Sequence, residues 1–205
     1  IRDSGRVAED VPFAVDTLGG VVKCVVSKGG DFITVEMGRV SFDSEKIPVS
    51  GPGREVVNEE FEINGKKYAY CCATVGNPHC VLPMKEVSEK LAREIGPVIE
   101  NMTSLFPNRT NVQLLQVLDR NNIKIEIWER GAGYTLASGS SSSAAASVAY
   151  RLGLCDGDIT VHMEGGNLSI KISPDYSVTM SGPATKVGAY EMSPSVLTQD
   201  VPIKM

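Results

Sequence analysis

The sequence predicts an α+β fold, on three observations. Short β-branched or alternating stretches recur between tight turns, as at residues 21–27, 32–37 and 67–74. One helical stretch, residues 139–152, is apolar nearly all round and so belongs in the interior. A second, residues 85–95, carries Val87, Leu91 and Ile95 on a single face. Strands wrapped about one buried helix accommodate all three.

Taken in order, Ile1-Arg2-Asp3-Ser4-Gly5 reads as the tail of a helix with a glycine stop. Residues 13–16 alternate weakly, and Leu18-Gly19-Gly20 is a hairpin turn into strand 21–27. Lys28-Gly29-Gly30-Asp31 turns the chain into strand 32–37. Residues 38–53 then change character: Gly38, Pro48, Gly51, Pro52 and Gly53 make this the best candidate boundary. Strands 61–63 and 67–74 meet at Asn64-Gly65, a strong hairpin signal. Gly76-Asn77-Pro78-His79 reads as a loop, and Gly96-Pro97 as the break that ends helix 85–95. Strands 111–118 and 123–128 flank Asp119-Arg120-Asn121-Asn122, and the buried helix ends at Gly153. Strands 159–163, 168–172 and 178–180 follow, with turns at Gly165-Gly166 and Pro174-Asp175. Residues 186–191 read as a last strand before a tail from Pro194.

With 205 residues there is room for one large domain or two small ones. Apolar content of 42% and charge of 22% are ordinary for a globular chain. A net charge of -5, with Lys66-Lys67 the only adjacent basic pair, argues against a nucleic-acid partner. No apolar run reaches bilayer-spanning length, so no membrane partner is expected. The five cysteines, Cys24, Cys71, Cys72, Cys80 and Cys155, are odd in number and irregular in spacing. That pattern reads as reduced thiols in the cytoplasm. Cys71, Cys72, His79 and Cys80 do not match zinc spacings, so no metal is expected. The chain begins at Ile1, which reads as a fragment or processed form.

The most informative stretch runs from Ile127-Trp128-Glu129-Arg130 through Gly131-Ala132-Gly133 to Ser138-Gly139 and the serine–alanine helix. Small residues at a helix start leave backbone N–H groups unshielded. Together with the macrodipole, those groups attract an anion. An adjacent arginine suits a carboxylate, which it grips with two parallel hydrogen bonds. The stretch therefore reads as a holder for a small carboxylic acid. The plain alternative is a serine N-cap on a core helix.

Three segments in register carry a family resemblance: Gly76-Asn77-Pro78-His79-Cys80, then 106–112 (Phe-Pro-Asn-Arg-Thr-Asn-Val), then 128–133 (Trp-Glu-Arg-Gly-Ala-Gly). Ser181-Gly182-Pro183-Ala184 extends the match, so that nearly the whole chain resembles the diaminopimelate epimerase family. The resemblance implies an isomerase of lysine biosynthesis that inverts an amino-acid α-carbon, LL- to meso-diaminopimelate, without pyridoxal phosphate, metal or other cofactor. It implies two pseudo-symmetric halves, each a curled, mostly antiparallel sheet round a central helix, with substrate in the cleft between them. On that reading residues 1–38 and 184–205 are a remnant of the first half, and 39–183 form a complete second half. The substrate is a small amino acid held by its carboxylate, and the protein is a monomer or homodimer.

In such a family two cysteines act on opposite faces of the α-carbon, one as base and one as acid. A thiol suits both roles because its ordinary pKa lies near working pH. Carried over residue by residue, His79 partners the first-half cysteine and Glu129 partners the second base. Asn77, Asn111, Glu129 and Arg130 bind substrate, and Gly139 and Ser140 offer helix-start N–H groups. The lesser alternative for Asn77, before Pro78, is that it shapes a turn. Two departures stand out. Ser138 occupies the position of the second cysteine, and a hydroxyl is a far weaker acid than a thiol. Tyr134 stands where the family has a glutamate. The first-half cysteine motif would lie before Ile1. The expected function is thus an epimerase or racemase. The alternatives are an impaired or one-base homologue that binds an amino acid without racemising it, and an inactive interaction module.

Overall fold

The computed structural model describes residues 2–17 and 20–193. Three strands come first: β1 (Phe13–Thr17), β2 (Gly20–Ser27) and β3 (Phe32–Arg39). After an irregular segment come β4 (Glu59–Ile63), β5 (Lys66–Thr74), β6 (Pro78–Met84) and helix α1 (Glu89–Glu100). Next are β7 (Asn111–Asp119), β8 (Asn122–Glu129), the short β9 (Gly133–Thr135) and helix α2 (Gly139–Arg151). The last strands are β10 (Asp158–Met163), β11 (Gly166–Ile172) and β12 (Ser177–Pro183). All join one sheet, ordered β1-β2-β3-β12-β11-β10-β8-β7-β6-β5-β4, with β9 added to β8.

Only two neighbouring pairs among the described strands are parallel, β6 with β7 and β8 with β10. Parallel neighbours need a crossover, and α1 and α2 supply the two. Both crossovers step the same way along the sheet, but β7 and β8 run antiparallel. Right-handed crossovers therefore put the helices on opposite faces. Strand alternation sorts the core accordingly. Cys71, Ala73, Val81, Ile123, Ile125 and Ile127 pack with α2. Tyr70, Cys72, Cys80, Leu82, Val112 and Leu114 pack with α1. The sheet curls round α2, which touches β5 to β8 and β10 to β12. This is the expected α+β architecture with a curled sheet about a buried helix.

The composition of α2 makes the curl possible. Ser141 to Ala149 are all buried, and no side chain among them is larger than valine. Close approach leaves no water for the serine hydroxyls, so they bond inside the helix. Ser142, Ser143 and Ser147 donate to the carbonyls of Ser138, Gly139 and Ser143 at 2.8, 2.9 and 2.7 Å.

Four expectations need correction. Residues 78 and 79 are not loop: Pro78 opens β6, a position where its missing N–H costs least, and His79 pairs with Asn111 on β7. Gly96-Pro97 does not break α1, which runs to Glu100. One backbone bond is lost to the proline, but Ile95, Gly96, Ile99 and Glu100 are buried. The helix also starts later than residue 85, at the N-cap Ser88, whose hydroxyl accepts from Leu91 N–H at 3.3 Å. Residues 186–191 are not a strand, because no described strand lies beside them, and Val187 and Tyr190 stand exposed. The turn at Leu18-Gly19-Gly20 and the tail from Pro194 involve residues outside the described ones; Thr17 and Gly20 are ladder partners. Arg2–Ser4 form a 3-10 turn closed at Gly5, with φ +70°. The segment between β3 and β4 buries Val40 and Phe42 on the α2 side, and Ile47, Val49 and Val56 on the α1 side.

Gly96 supplies the fold's sharpest steric test. A Cβ there would lie 2.6 Å from Trp128 Cγ. The Trp128 ring has little freedom to move, since its indole N–H donates to Glu100 Oε2 at 2.7 Å. Gly→Ala inside a helix ordinarily stabilises by about 1 kcal/mol. Here overpacking of about 1–3 kcal/mol opposes it, so Gly96→Ala is expected to lower the denaturant midpoint. A raised midpoint would show that Trp128 yields freely.

Candidate active site

The start of α2 lies at the mouth of the curled sheet. Ser138 is its N-cap in extended conformation, and the Ser138 hydroxyl accepts from Ser141 N–H at 3.4 Å. Ser142 N–H takes the Ser138 carbonyl at 3.0 Å, the first bond of the helix ladder. The N–H groups of Gly139 and Ser140 have no hydrogen-bond partner among the described residues. Both residues are partly exposed. Gly139 is also demanded by packing, since a Cβ would lie 2.7 Å from Met180 Sδ.

A hydrogen-bonded path links this helix start to the Glu129-Arg130-Gly131 turn. Asn77 Nδ2 donates to Ser140 Oγ at 3.3 Å, and Asn77 Oδ1 meets His79 Nε2 at 3.0 Å. His79 is the ladder partner of Asn111. Asn111 Nδ2 donates to the Pro78 carbonyl at 2.8 Å, and Asn111 Oδ1 accepts from Arg130 N–H at 2.9 Å. Both polar atoms of Asn111 thus join the turn to β6. The Arg130 guanidinium is exposed and donates to the Asn108 carbonyl at 2.8 Å. It has no carboxylate partner among the described residues, so its remaining donors face solvent. Glu129 is half-buried and its carboxylate bonds to no described residue.

The structure therefore brings Asn77, His79, Asn111, Arg130, Ser138 and Ser140 into one network, with Gly139 as its open donor. Glu129 joins it through the backbone alone. The network's anchor escaped sequence reading. Glu100, at the end of α1, is buried to 5% exposure. Its Oε1 accepts from Gly131 N–H at 2.9 Å and from Arg109 Nη1 at 2.8 Å. With Trp128 on Oε2, one carboxylate fixes both ends of the turn that carries Glu129 and Arg130. Gln113, also missed, donates from Nε2 to Ser141 Oγ at 3.0 Å in the interior. Its signal in the sequence is a polar residue at an inward position of a strand.

Tyr134 donates to the buried Glu126 carboxylate at 2.7 Å. Lys124 Nζ stands 3.2 Å from the same carboxylate. Burial, with the Glu126 bond, pushes the phenol pKa well up. The phenol is therefore a neutral donor. The thiols of Cys24, Cys71, Cys72 and Cys155 are likewise pushed up by burial. Strand alternation splits the Cys71, Cys72, His79, Cys80 run, with Cys71 toward α2 and Cys72 and Cys80 toward α1. A hollow of ≈ 240 Å³ adjoins the helix start, lined by Ala137, Ser138, Gly139, Met163 and the 165–168 turn. A cleft of ≈ 940 Å³ lies between Arg39 and Tyr176 and includes none of the expected binding residues.

His79 is fully buried. Burial pushes its imidazole down to about 3; Gln113 acts in the opposite direction, and the nearby Arg130 charge adds to the lowering. The folded chain thus refuses a proton that the unfolded chain accepts below about 6.5. Stability from this group is complete above that value. It falls as pH drops toward about 3, by up to about 1.4 kcal/mol per pH unit. His79→Asn should remove this dependence. The stability difference between the two proteins is expected to change between pH about 7 and about 5, measured by urea unfolding. A constant difference would mean that His79 charges inside the fold.

The profile of the diaminopimelate epimerase family matches residues 71–187. Diaminopimelate epimerase 2 of Nostoc sp. is 48% identical over 203 residues, covering 99% of this chain and 70% of that protein. The diaminopimelate epimerase of Moorella thermoacetica is 40% identical over 185 residues, covering 88% of this chain and 66% of that protein. The chain thus spans about two thirds of the length of these relatives. Two solved structures share the fold. A probable proline racemase from Agrobacterium radiobacter, with bound carbonate, aligns at TM-score 0.68 and 10% identity, over 94% of this chain and 64% of that one. A hydroxyproline epimerase from Agrobacterium vitis, with bound trans-4-hydroxy-L-proline, aligns at TM-score 0.63 and 11% identity, over 88% and 59%. Among the described residues no helix is long and apolar enough to cross a membrane. By sequence, this chain belongs to the diaminopimelate epimerase family.

Proposed function

We propose that this chain serves an amino-acid epimerase or racemase acting in the cytoplasm, with diaminopimelate as the substrate and no pyridoxal phosphate. The supporting observation is the pair of unspent N–H groups at Gly139 and Ser140, tied through Asn77, His79 and Asn111 to the Arg130 turn. The α-carboxylate of an amino acid accepts from the two N–H groups, and Arg130 holds a carboxylate through its free guanidinium donors. An α-proton is a very weak acid. As it leaves, negative charge grows on the α-carboxylate, where fixed donors stabilise it most. One base removes the proton, an acid on the opposite face returns another, and the carbon is inverted with no net change in charge.

Ser138 occupies the second acid–base position and Glu129 is its partner. Its hydroxyl is already used as the N-cap acceptor of α2, and it is hardly ionised near neutral pH. This favours a second reading, a protein that binds the amino acid and turns it over slowly or not at all. α-Proton exchange in deuterated water separates the two. Exchange of diaminopimelate with inversion supports the first reading. Binding without exchange supports the second, and absence of binding sinks both. The dipole of α2 lowers a thiol pKa at its N-cap. Ser138→Cys is therefore expected to raise exchange by about 10²-fold or more. Equal rates for the two proteins would move the acid–base role to another residue.

A further inference from the structure

Strand β9 has little to hold it in register. It is three residues long and pairs with β8 alone, so its other edge has no partner among the described strands. Short strands that contain glycine specify their register poorly. Gly133 has no side chain, and the Thr135 hydroxyl is buried with no hydrogen-bond partner among the described residues. Register is left to Tyr134. Its phenol donates to Glu126 Oε2 at 2.7 Å. Glu126 is a firm anchor, because its carboxylate is buried and Lys124 Nζ stands 3.2 Å from Oε1. On the ring itself, the Arg93 guanidinium of α1 stacks 4.5 Å from the centroid, held there by Glu89 at 2.7 Å.

Tyr134 thus ties β9 to β8 and to α1 at once. Its ladder partner is Trp128, and both pack on the α1 side of the sheet. A slip of one residue would turn Tyr134 to the α2 side and break both contacts. The position of β9 is passed on to the start of α2. Only Leu136 and Ala137 separate Thr135 from the N-cap Ser138. The Leu136 carbonyl accepts from Gly165 N–H at 2.8 Å. A Cβ on Gly165 would lie 3.0 Å from that carbonyl oxygen and 3.0 Å from Ala137 Cβ, so the 165 turn is pressed against the segment. The segment has no slack to absorb a slip, which would move the chain by about 3.3 Å.

We propose that Tyr134 is a positioning residue: pinned to Glu126, it sets the register of β9 and with it the place of the Gly139 and Ser140 N–H groups. Arg130 is set separately, through Asn111 on its own N–H and Glu100 on that of Gly131. The pin therefore fixes the helix start relative to the Arg130 turn, the two parts that together receive a carboxylate. That task rests on the epimerase reading, but the existence of the pin does not.

The test uses ¹⁵N-labelled protein, first alone and then titrated with meso-diaminopimelate. Tyr134→Phe keeps the ring and its stacking and removes only the hydroxyl. Without ligand, amide hydrogen exchange in β9 should quicken by about tenfold, the loss expected for a hydrogen bond to a charged group, while exchange in β7 stays as it was. With ligand, affinity should fall by about tenfold, and the shifts at saturation should shrink at Gly139 and Ser140 but persist at Arg130. Glu126→Leu removes the acceptor and should reproduce both effects. Glu126→Gln keeps an oxygen for the phenol and should lie nearer the unaltered protein. Unchanged exchange in β9 of Tyr134→Phe would overturn the pin. Faster exchange with unaltered affinity and unaltered shifts at Gly139 and Ser140 would make Tyr134 a purely structural residue and overturn its positioning task. Absence of binding by the unaltered protein would overturn the carboxylate reading and that task together, while exchange still decides the pin. If Glu126→Leu fails to fold, Tyr134→Phe and Glu126→Gln decide between them.

Discussion

A helix can sit inside a curled sheet only if its side chains are short enough for seven strands to close on it. Serine and alanine meet that condition in α2, and the serines then need partners because no water reaches them. Their bonds to carbonyls one turn back solve this along the helix, whereas Ser140 and Ser141 in its first turn are met by Asn77 and Gln113. The first turn is therefore the one place where the core of this protein must be polar. Asn77 just before β6, His79 on β6 and Gln113 on β7 are turned toward it for that reason. The N–H groups of Gly139 and Ser140 have no partner among the described residues. Packing and chemistry share a cause: the tighter the sheet closes, the more its open end is worth as an anion site.

The second constraint is the buried Glu100. A carboxylate at 5% exposure is costly unless its lone pairs are filled. Here they are filled by Arg109, Gly131 and Trp128, groups from the loop before β7, the turn after β8 and the end of β8 itself. The exposed Arg130 side chain thus stands on a rigid base. Its backbone is held by Asn111, and Trp128 and Gly131, which bracket Glu129-Arg130, are held through Glu100. Rigid placement is what allows a surface arginine to act as a defined carboxylate clamp rather than a solvated charge.

The outline of the fold was legible because hydrophobic period is a local property. Strand 21–27 announced itself as a β-branched run and 32–37 by alternation, and α2 by apolar residues nearly all round. The helix start, with Ser138 as cap, was legible for the same reason. What was not legible depended on distant partners. Gly76-Asn77-Pro78 has the composition of a turn, yet β7 recruits residues 78–84 into the sheet. Pro97 breaks isolated helices, yet Trp128 packing on Gly96 and the Glu100 anchor draw α1 past it. Residues 186–191 have a strand's alternation but no described neighbour to pair with. Of the site, the family motifs pointed to His79, Asn111 and Arg130, whereas Glu100 and Gln113 act through residues remote in sequence.

The central claim is that the first turn of α2 and the Arg130 turn together receive a carboxylate. Titrating ¹⁵N-labelled protein with meso-diaminopimelate tests it most directly, read at individual backbone amides. The account predicts saturable shifts concentrated at Gly139, Ser140 and Arg130, and their loss or marked weakening in Arg130→Ala. Shifts confined to the cleft between Arg39 and Tyr176, or none at the start of α2, would contradict it.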